Sequence, residues 1–341
     1  MTEFEGVVGH ARPSGILLSS LTASRVHHAY LFAGLAGIGK RMVAVRFAQA
    51  LNCADQRDPR PCGTCTHCTR IAREEHPDVI VIEPDRSKAR PVIKIEVVRN
   101  LIRQVHFKPY EGNRRVIIID DAETVNEQGS NALLKTLEEP SGETVFVLIT
   151  AALQSLLPTI RSRCQIVRFA PLDRAHVMAA LADAGVDADT AKVAAAFSGG
   201  SLGDALRLAT EDGLAARREF ALDVAALRPA DPMGPLQLAG KHARTSPAEL
   251  LHLLDSLKTF YRDVALVGAG AARERLVNVD VEDAVVALSA DLTVDEAIGH
   301  IARIGEAQQA LTGYVDQRLL LEELMLSLSP TKSTHVQPIQ R

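Results

Sequence analysis

The residues best suited to chemistry lie at 33–41, AGLAGIGKR. Gly34, Gly39 and Lys40 fit a G-x-x-x-x-G-K frame, with Gly37 inside the loop. In such a loop backbone N–H groups close around phosphate oxygens and the lysine reaches the outer phosphates. The next position calls for a hydroxyl that holds magnesium, and here it is Arg41. A fixed cation removes a metal ligand and puts positive charge where the ion would sit. The bland alternative is a glycine turn before an ordinary amphipathic helix.

Three further stretches carry groups of the same chemistry. Residues 114–121, RRVIIIDD, form a hydrophobic run ending in Asp120 and Asp121. In nucleotide-hydrolysing folds the first acid at such a strand end helps hold magnesium and the next, usually Glu, polarises the attacking water. Asp121 is one methylene shorter, which weakens that second role. Thr150 ends the run TVFVLIT and is placed to hydrogen-bond a terminal phosphate. Arg161 and Arg163 follow in LLPTIRSRC at the expected edge of the first domain. Most arginine pairs are solvated surface features, but one at a domain rim can reach a neighbouring subunit's nucleotide, an effect of roughly 10³–10⁵ in rate.

Four of the five cysteines, Cys53, Cys62, Cys65 and Cys68, fall within sixteen positions, with Pro61, Gly63 and Thr64 suited to tight turns. In a reducing compartment this clustering favours a closed structural zinc site over disulfides. A site with four thiolates has no open position for a substrate, so the metal would staple an insertion. His67 lies between two of these cysteines and is expected to be a solvated side chain rather than a ligand.

The elements that must position these groups follow from periodicity. A short apolar run at 28–33 precedes the glycine loop, and 42–51 carries Val43, Phe47, Ala50 and Leu51 at helical spacing, giving strand, loop, helix. Strands are expected over 76–83, 114–121, 144–150 and 165–169, and helices over 12–23, 94–105 and 131–139, the last stopped by Pro140. Beyond Leu172 the strand signals stop. Short Ala/Leu-rich helices at 173–184, 189–197 and 202–210 are followed by long helical patterns at 247–267 and 294–328, with a break expected near Gly313.

A chain of 341 residues exceeds one ordinary core, and 47% hydrophobic content excludes global disorder. The formal net charge of −4 gives no general pull toward nucleic acid, so any such contact must be local or through partners. No run reaches the roughly 20 apolar residues of a membrane span. The amino terminus carries acids and no signal-like apolar core, and a cytoplasmic protein is expected.

The order of these motifs, FEGVVGH, the phosphate loop, the four-cysteine insertion, RRVIIIDDAE, NALLKTLEEP, TVFVLIT and LLPTIRSRC, resembles the bacterial clamp-loader branch of the AAA+ proteins over about residues 4–210. The resemblance over the rest is weaker and rests mainly on YVDQRLLLEELMLSL. It implies an α/β architecture: a RecA-like AAA+ nucleotide-binding domain with a parallel sheet over 1–170, a small helical lid over 171–212, an all-α collar over 213–328 and a flexible tail over 329–341. It further implies assembly with delta and gamma/tau subunits into a ring of five that uses ATP to place a sliding clamp on primed DNA. By the same resemblance Cys53, Cys62, Cys65 and Cys68 match zinc ligands, and Ser162-Arg163-Cys164 matches a motif whose arginine enters an adjacent subunit's ATP site.

Departures from the motor-subunit pattern fall on three parts of the hydrolytic apparatus. Arg41 replaces the hydroxyl, Asp121 replaces the glutamate, and Gly203 in GSLGDAL stands where the lid motif carries arginine. These losses, with the SRC segment intact, favour a stationary, non-hydrolysing subunit over a gamma/tau-like ATPase motor or a zinc-bearing adaptor outside replication. The residues are compatible both with a loop that binds ATP and with one that stays empty.

Overall fold

Runs rich in Val, Ile, Leu and Phe become the strands of one sheet, the three in its middle buried along their whole length and the last, QIVR, mostly exposed. These are β1 (Ala29–Ala33), β2 (Val79–Ile82), β3 (Arg115–Ile119), β4 (Thr144–Thr150) and β5 (Gln165–Arg168). They pair in the order β2-β3-β4-β1-β5, every pairing parallel. The computed structural model describes residues 3–55, 60–85, 91–105, 107–139, 143–228, 231–311 and 315–329. Pro140, Gly313 and the end of the tail lie outside the described residues. The chain divides into two units, Met1–Ala184 with Ser198–Ala205, and Gly185–Phe197 with Leu206–Arg341.

In the first unit the period-2 alternation of the strands feeds two cores. Tyr30, Phe32, Val116, Ile118 and Val147 face one side, against Leu17 of α1 (Ala11–Thr22) and Val43 and Phe47 of α2 (Lys40–Asn52). The short α3 (Thr66–Ala72) follows the cysteine knuckles. Leu31, Ile117, Phe146 and Leu148 face the other side, against α4 (Ile95–Val105), α5 (Glu127–Glu138) and α6 (Pro158–Arg161). The unit also holds α7 (Arg174–Asp183).

Most expected elements are present with ends moved by one to three residues. The α5 helix starts a turn earlier than expected because the Asn126 side chain accepts from Gly129 N at 2.8 Å, capping a Gly- and Ser-containing first turn that reads as loop. The next helices are α8 (Ala188–Phe197), α9 (Leu202–Leu208), α10 (Glu211–Ala225), α11 (Gly234–His242) and α12 (Pro247–Gly268). In α12, Ser246 caps and Pro247 takes the first turn, where its missing N–H costs nothing. Then come α13 (Glu282–Asp291), α14 (Val294–Leu311) and α15 (Gln317–Leu328), so the expected 294–328 pattern is two helices, the second capped by Asp316. Leu250, Leu254, Phe260, Ile304, Leu321 and Met325 build the second unit's core. Buried Arg217 there bonds Asn278 at 2.9 Å and pairs with Asp280. No helix among the described residues is long and apolar enough to cross a membrane.

A buried pair pins the chain that enters β3. Asp78 accepts from Tyr110 N, Glu111 N and Gly112 N at 2.7–2.9 Å, and Arg115 donates to Asp78 at 3.2 Å and to Phe107 O at 2.7 Å. Burial alone would raise the Asp78 carboxyl, but the three N–H donors and Arg115 hold it below its usual range. The stabilisation it confers is therefore present above the unfolded carboxyl's pKa of about 3.9 and is lost as pH falls through the lower folded value. Asp78→Ala is expected to cost about 3–5 kcal/mol by leaving Arg115 buried without its partner. Urea unfolding at pH 7 measures this; a loss below about 1 kcal/mol would contradict it.

Candidate functional site

The glycine loop leaves the carboxyl end of β1 and runs into α2, the order the phosphate-binding reading requires. Gly37 and Gly39 take φ of +70° and +96°, backbone that favours glycine. A Cβ on Gly37 would also collide with Ser201 Oγ. Gly203, the residue in place of the lid arginine, donates its N–H to Gly37 O at 2.9 Å. Buried His10, from the FEGVVGH stretch, lies 2.5 Å through Nε2 from Ile38 O.

Lys40 is buried, and its ammonium donates to Gly34 O at 2.6 Å and Leu35 O at 2.5 Å. Burial lowers its pKa, against the attraction of Asp120, Glu123 and Asp121. Those acids follow β3, which is separated from β1 only by β4, so the sheet order brings loop and acids together. Asp120 accepts from Asp121 N at 3.1 Å, and Asp121 takes a left-handed φ of 47°. Thr150, at the tip of β4, is fully buried and its hydroxyl accepts from Ala152 N at 3.0 Å.

Arg41 reaches three carboxylates. It bonds Glu74 at 2.7 Å, pairs with Glu83, and stands 3.7 Å from Asp120. Burial works against its charge, but the bonds to Glu74 and Glu83 raise its pKa. The guanidinium thus lies beside the very acid that would hold magnesium in the hydrolytic pattern. Glu74 and Glu83 were not readable as its partners, being 33 and 42 residues away in unrelated contexts.

The four cysteine sulfurs Cys53, Cys62, Cys65 and Cys68 all lie within 4.8 Å of one another, a set that could hold a metal ion. Backbone N–H groups of Cys65 and Cys68 point at Cys62 Sγ and Cys65 Sγ at 3.4 Å, as in knuckles that gather thiolates. His67 is not the solvated side chain expected: its Nδ1 lies 2.9 Å from His76 Nε2. His67, His76 and Glu111 also cluster closely enough for a metal. Their hydrogen bonding does not suit one. Asp78 N donates to His76 Nδ1 at 3.1 Å, so the neutral ring carries its proton on Nε2, which donates to His67. Glu111 is meanwhile paired with Arg70.

Arg163 is not part of the loop site. It lines an open pocket of about 460 Å³ with His27, His28, Leu137, Glu138 and Ser162. His27 and His28 immediately precede β1, whereas the glycine loop follows it. The five residues of β1 put the two ends roughly 13 Å apart at about 3.3 Å per residue. Arg161, its sequence neighbour by two, instead donates to Gln154 at 2.6 Å.

With this geometry in hand, the similarities to known proteins can be placed. The family described as DNA polymerase III, delta subunit, matches residues 9–173, and DNA polymerase III, delta subunit, C terminal, matches residues 211–329. The chain is 30% identical over 320 residues to the DNA polymerase III subunit delta' of Escherichia coli (strain K12), covering 92% of each. It is 28% identical over 323 residues to the delta' subunit of Bacillus subtilis (strain 168), covering 92% of this chain and 94% of that one. It is also 38% identical over 179 residues to the DNA polymerase III subunit tau/gamma of Haemophilus influenzae, covering 52% of this chain and 25% of that protein.

Removing the cation from the loop tests the three-acid contact. Arg41→Ala leaves Glu74, Glu83 and Asp120 without it and is expected to cost about 1 kcal/mol, since the pairs are half exposed. The loss should shrink in 1 M salt, where the Debye length falls to about 3 Å. Equal urea midpoint shifts at low and high salt would contradict an electrostatic role.

Proposed function

The chain belongs to the family of DNA polymerase III delta' subunits, and from that premise we propose that it does not hydrolyse ATP itself and lends Arg163 to the nucleotide site of a neighbouring subunit. The observation that carries this reading is the separation along β1. An arginine beside the start of the strand is remote from a phosphate held in the loop at its finish, so a nucleotide it serves is one held by another molecule. A guanidinium offers a planar fork to phosphate oxygens and stabilises the charge that develops as the terminal phosphoryl leaves.

The chain's own loop argues the complementary half. Magnesium at a P-loop bridges phosphate oxygens and draws on a hydroxyl and an acid. Here the hydroxyl position is Arg41, whose guanidinium lies 3.7 Å from Asp120. Lys40 remains available in kind to an outer phosphate, and Arg41 supplies positive charge without the geometry of an octahedral ion. Binding of ATP without turnover fits these residues. In this reading the parallel-sheet unit is the nucleotide-binding domain, the short helices after Leu172 act as a lid, and the later helices form a collar that joins delta and gamma/tau subunits, with the sliding clamp and primed DNA met through the assembly.

Cys53, Cys62, Cys65 and Cys68 fit structural zinc: four thiolates in close reach, in knuckles, with no position left open. The metal would supply cross-linking of the insertion and no chemistry.

A second reading, a motor ATPase, is favoured by the 38% identity to the tau/gamma subunit and by the retained Lys40. Turnover by the isolated chain separates the two. The proposed reading expects negligible phosphate release; magnesium-dependent release abolished in Lys40→Ala would establish the motor.

In a reconstituted loader, Arg163→Ala is expected to remove most DNA-stimulated ATPase at the adjoining site, a loss of roughly 10³-fold or more there, with assembly intact. Unchanged ATPase would overturn the assignment. Metal analysis after purification under reducing conditions should find one zinc per chain, absent in Cys62→Ser and retained in His67→Ala; a zinc-free wild type would refute the cysteine site.

A further inference from the structure

Arg163 does not stand free in its pocket. Its Nη2 pairs with Glu138 Oε1, and its Nη1 donates to Thr159 O at 2.9 Å. Both terminal nitrogens are thus engaged by the arginine's own subunit. A phosphate gripped by a guanidinium takes those same nitrogens, usually two at once. Arg163 must therefore exchange partners before it can act on a neighbour's nucleotide.

We propose that Glu138 is a positioning residue, the internal counter-ion that holds Arg163 on its own subunit until a phosphate of the neighbour's nucleotide displaces it. The inference rests on the trans role assigned to Arg163 above. Three features carry it. Glu138 is the last residue of α5, and Leu137 beside it and Ile160 of α6 belong to one buried core cluster, so the carboxylate is presented from the end of a packed helix. Its side chain is 47% exposed and that of Arg163 32%, which makes the pair water-screened and weak, as a partner must be if it is to be given up. The exchange also has room: the pocket beside the pair opens to solvent between His27, His28 and Ser162. A nucleotide's terminal phosphate brings more negative charge than one carboxylate, so the competition runs toward the nucleotide once a neighbour delivers it. By contrast Arg161, whose partner is the neutral Gln154, carries no such internal counter-ion among the described residues.

The test uses the complete reconstituted loader with four versions of this chain: wild type, Glu138→Gln, Arg163→Ala and the double variant. Glu138→Gln keeps size and hydrogen bonding but removes the charge. It is expected to raise kcat of the DNA-free ATPase about two- to five-fold with little change in KM, because the interaction released is made in the transition state. Glu138→Asp should restore the wild-type rate, and the double variant should match Arg163→Ala. If Arg163→Ala lowers the rate while Glu138→Gln leaves it unchanged or lowers it, the counter-ion role is wrong and the trans arginine stands. If Glu138→Gln raises the rate equally with and without Arg163, the effect does not pass through that arginine and the inference fails. If Arg163→Ala changes neither the DNA-free nor the DNA-stimulated ATPase, the trans reading falls and takes the inference with it.

Discussion

A parallel strand has a distinct start and finish, and in β1 the two ends are assigned to different chemistry. The finish passes into a glycine loop closed around the Lys40 ammonium; the start is flanked by the pocket that contains Arg163. Because neighbouring strands run in the same direction, the acids after β3 and Thr150 at the end of β4 collect on the loop's side. The glycine loop and Arg163 therefore lie towards opposite ends of one strand. Both cores of the first unit serve that constraint by fixing β1 from its two faces, Tyr30 and Phe32 on one and Leu31 on the other.

Charge at the loop is arranged around Arg41. Glu74, Glu83 and Asp120 come from three separate segments and converge on one guanidinium. Single half-exposed pairs contribute little, yet three acids gathered at one cation keep it beside Asp120. The same logic, a carboxylate answering an arginine, recurs at Glu138 and Arg163, there with a single acid.

The architecture was legible in the sequence wherever periodicity carried it. The run TVFVLIT became β4 residue for residue, and the spacing of Val43, Phe47 and Leu51 gave α2. The G-x-x-x-x-G-K frame and the four cysteines announced their groupings because their members are close in sequence. What escaped was long-range and polar. Asp78 and Arg115 are 37 residues apart and look like ordinary charged residues flanking strands, yet they anchor the chain entering β3. His67 read as solvated because nothing local reveals that His76 folds back onto it. Glu138 drew no reading of its own within the expected 131–139 helix; its bond to Arg163 depends on α5 packing against α6, which no spacing rule encodes. The one helix start that moved by a full turn, α5, did so because an asparagine cap outweighs weak intrinsic propensity.

The most direct measurement is the structure of the assembled loader with a non-hydrolysable ATP analogue bound. This account predicts the Arg163 guanidinium within hydrogen-bond reach of a terminal phosphate held by an adjoining subunit, its bond to Glu138 broken. Arg163 still paired with Glu138 and remote from every nucleotide in the ring would contradict it.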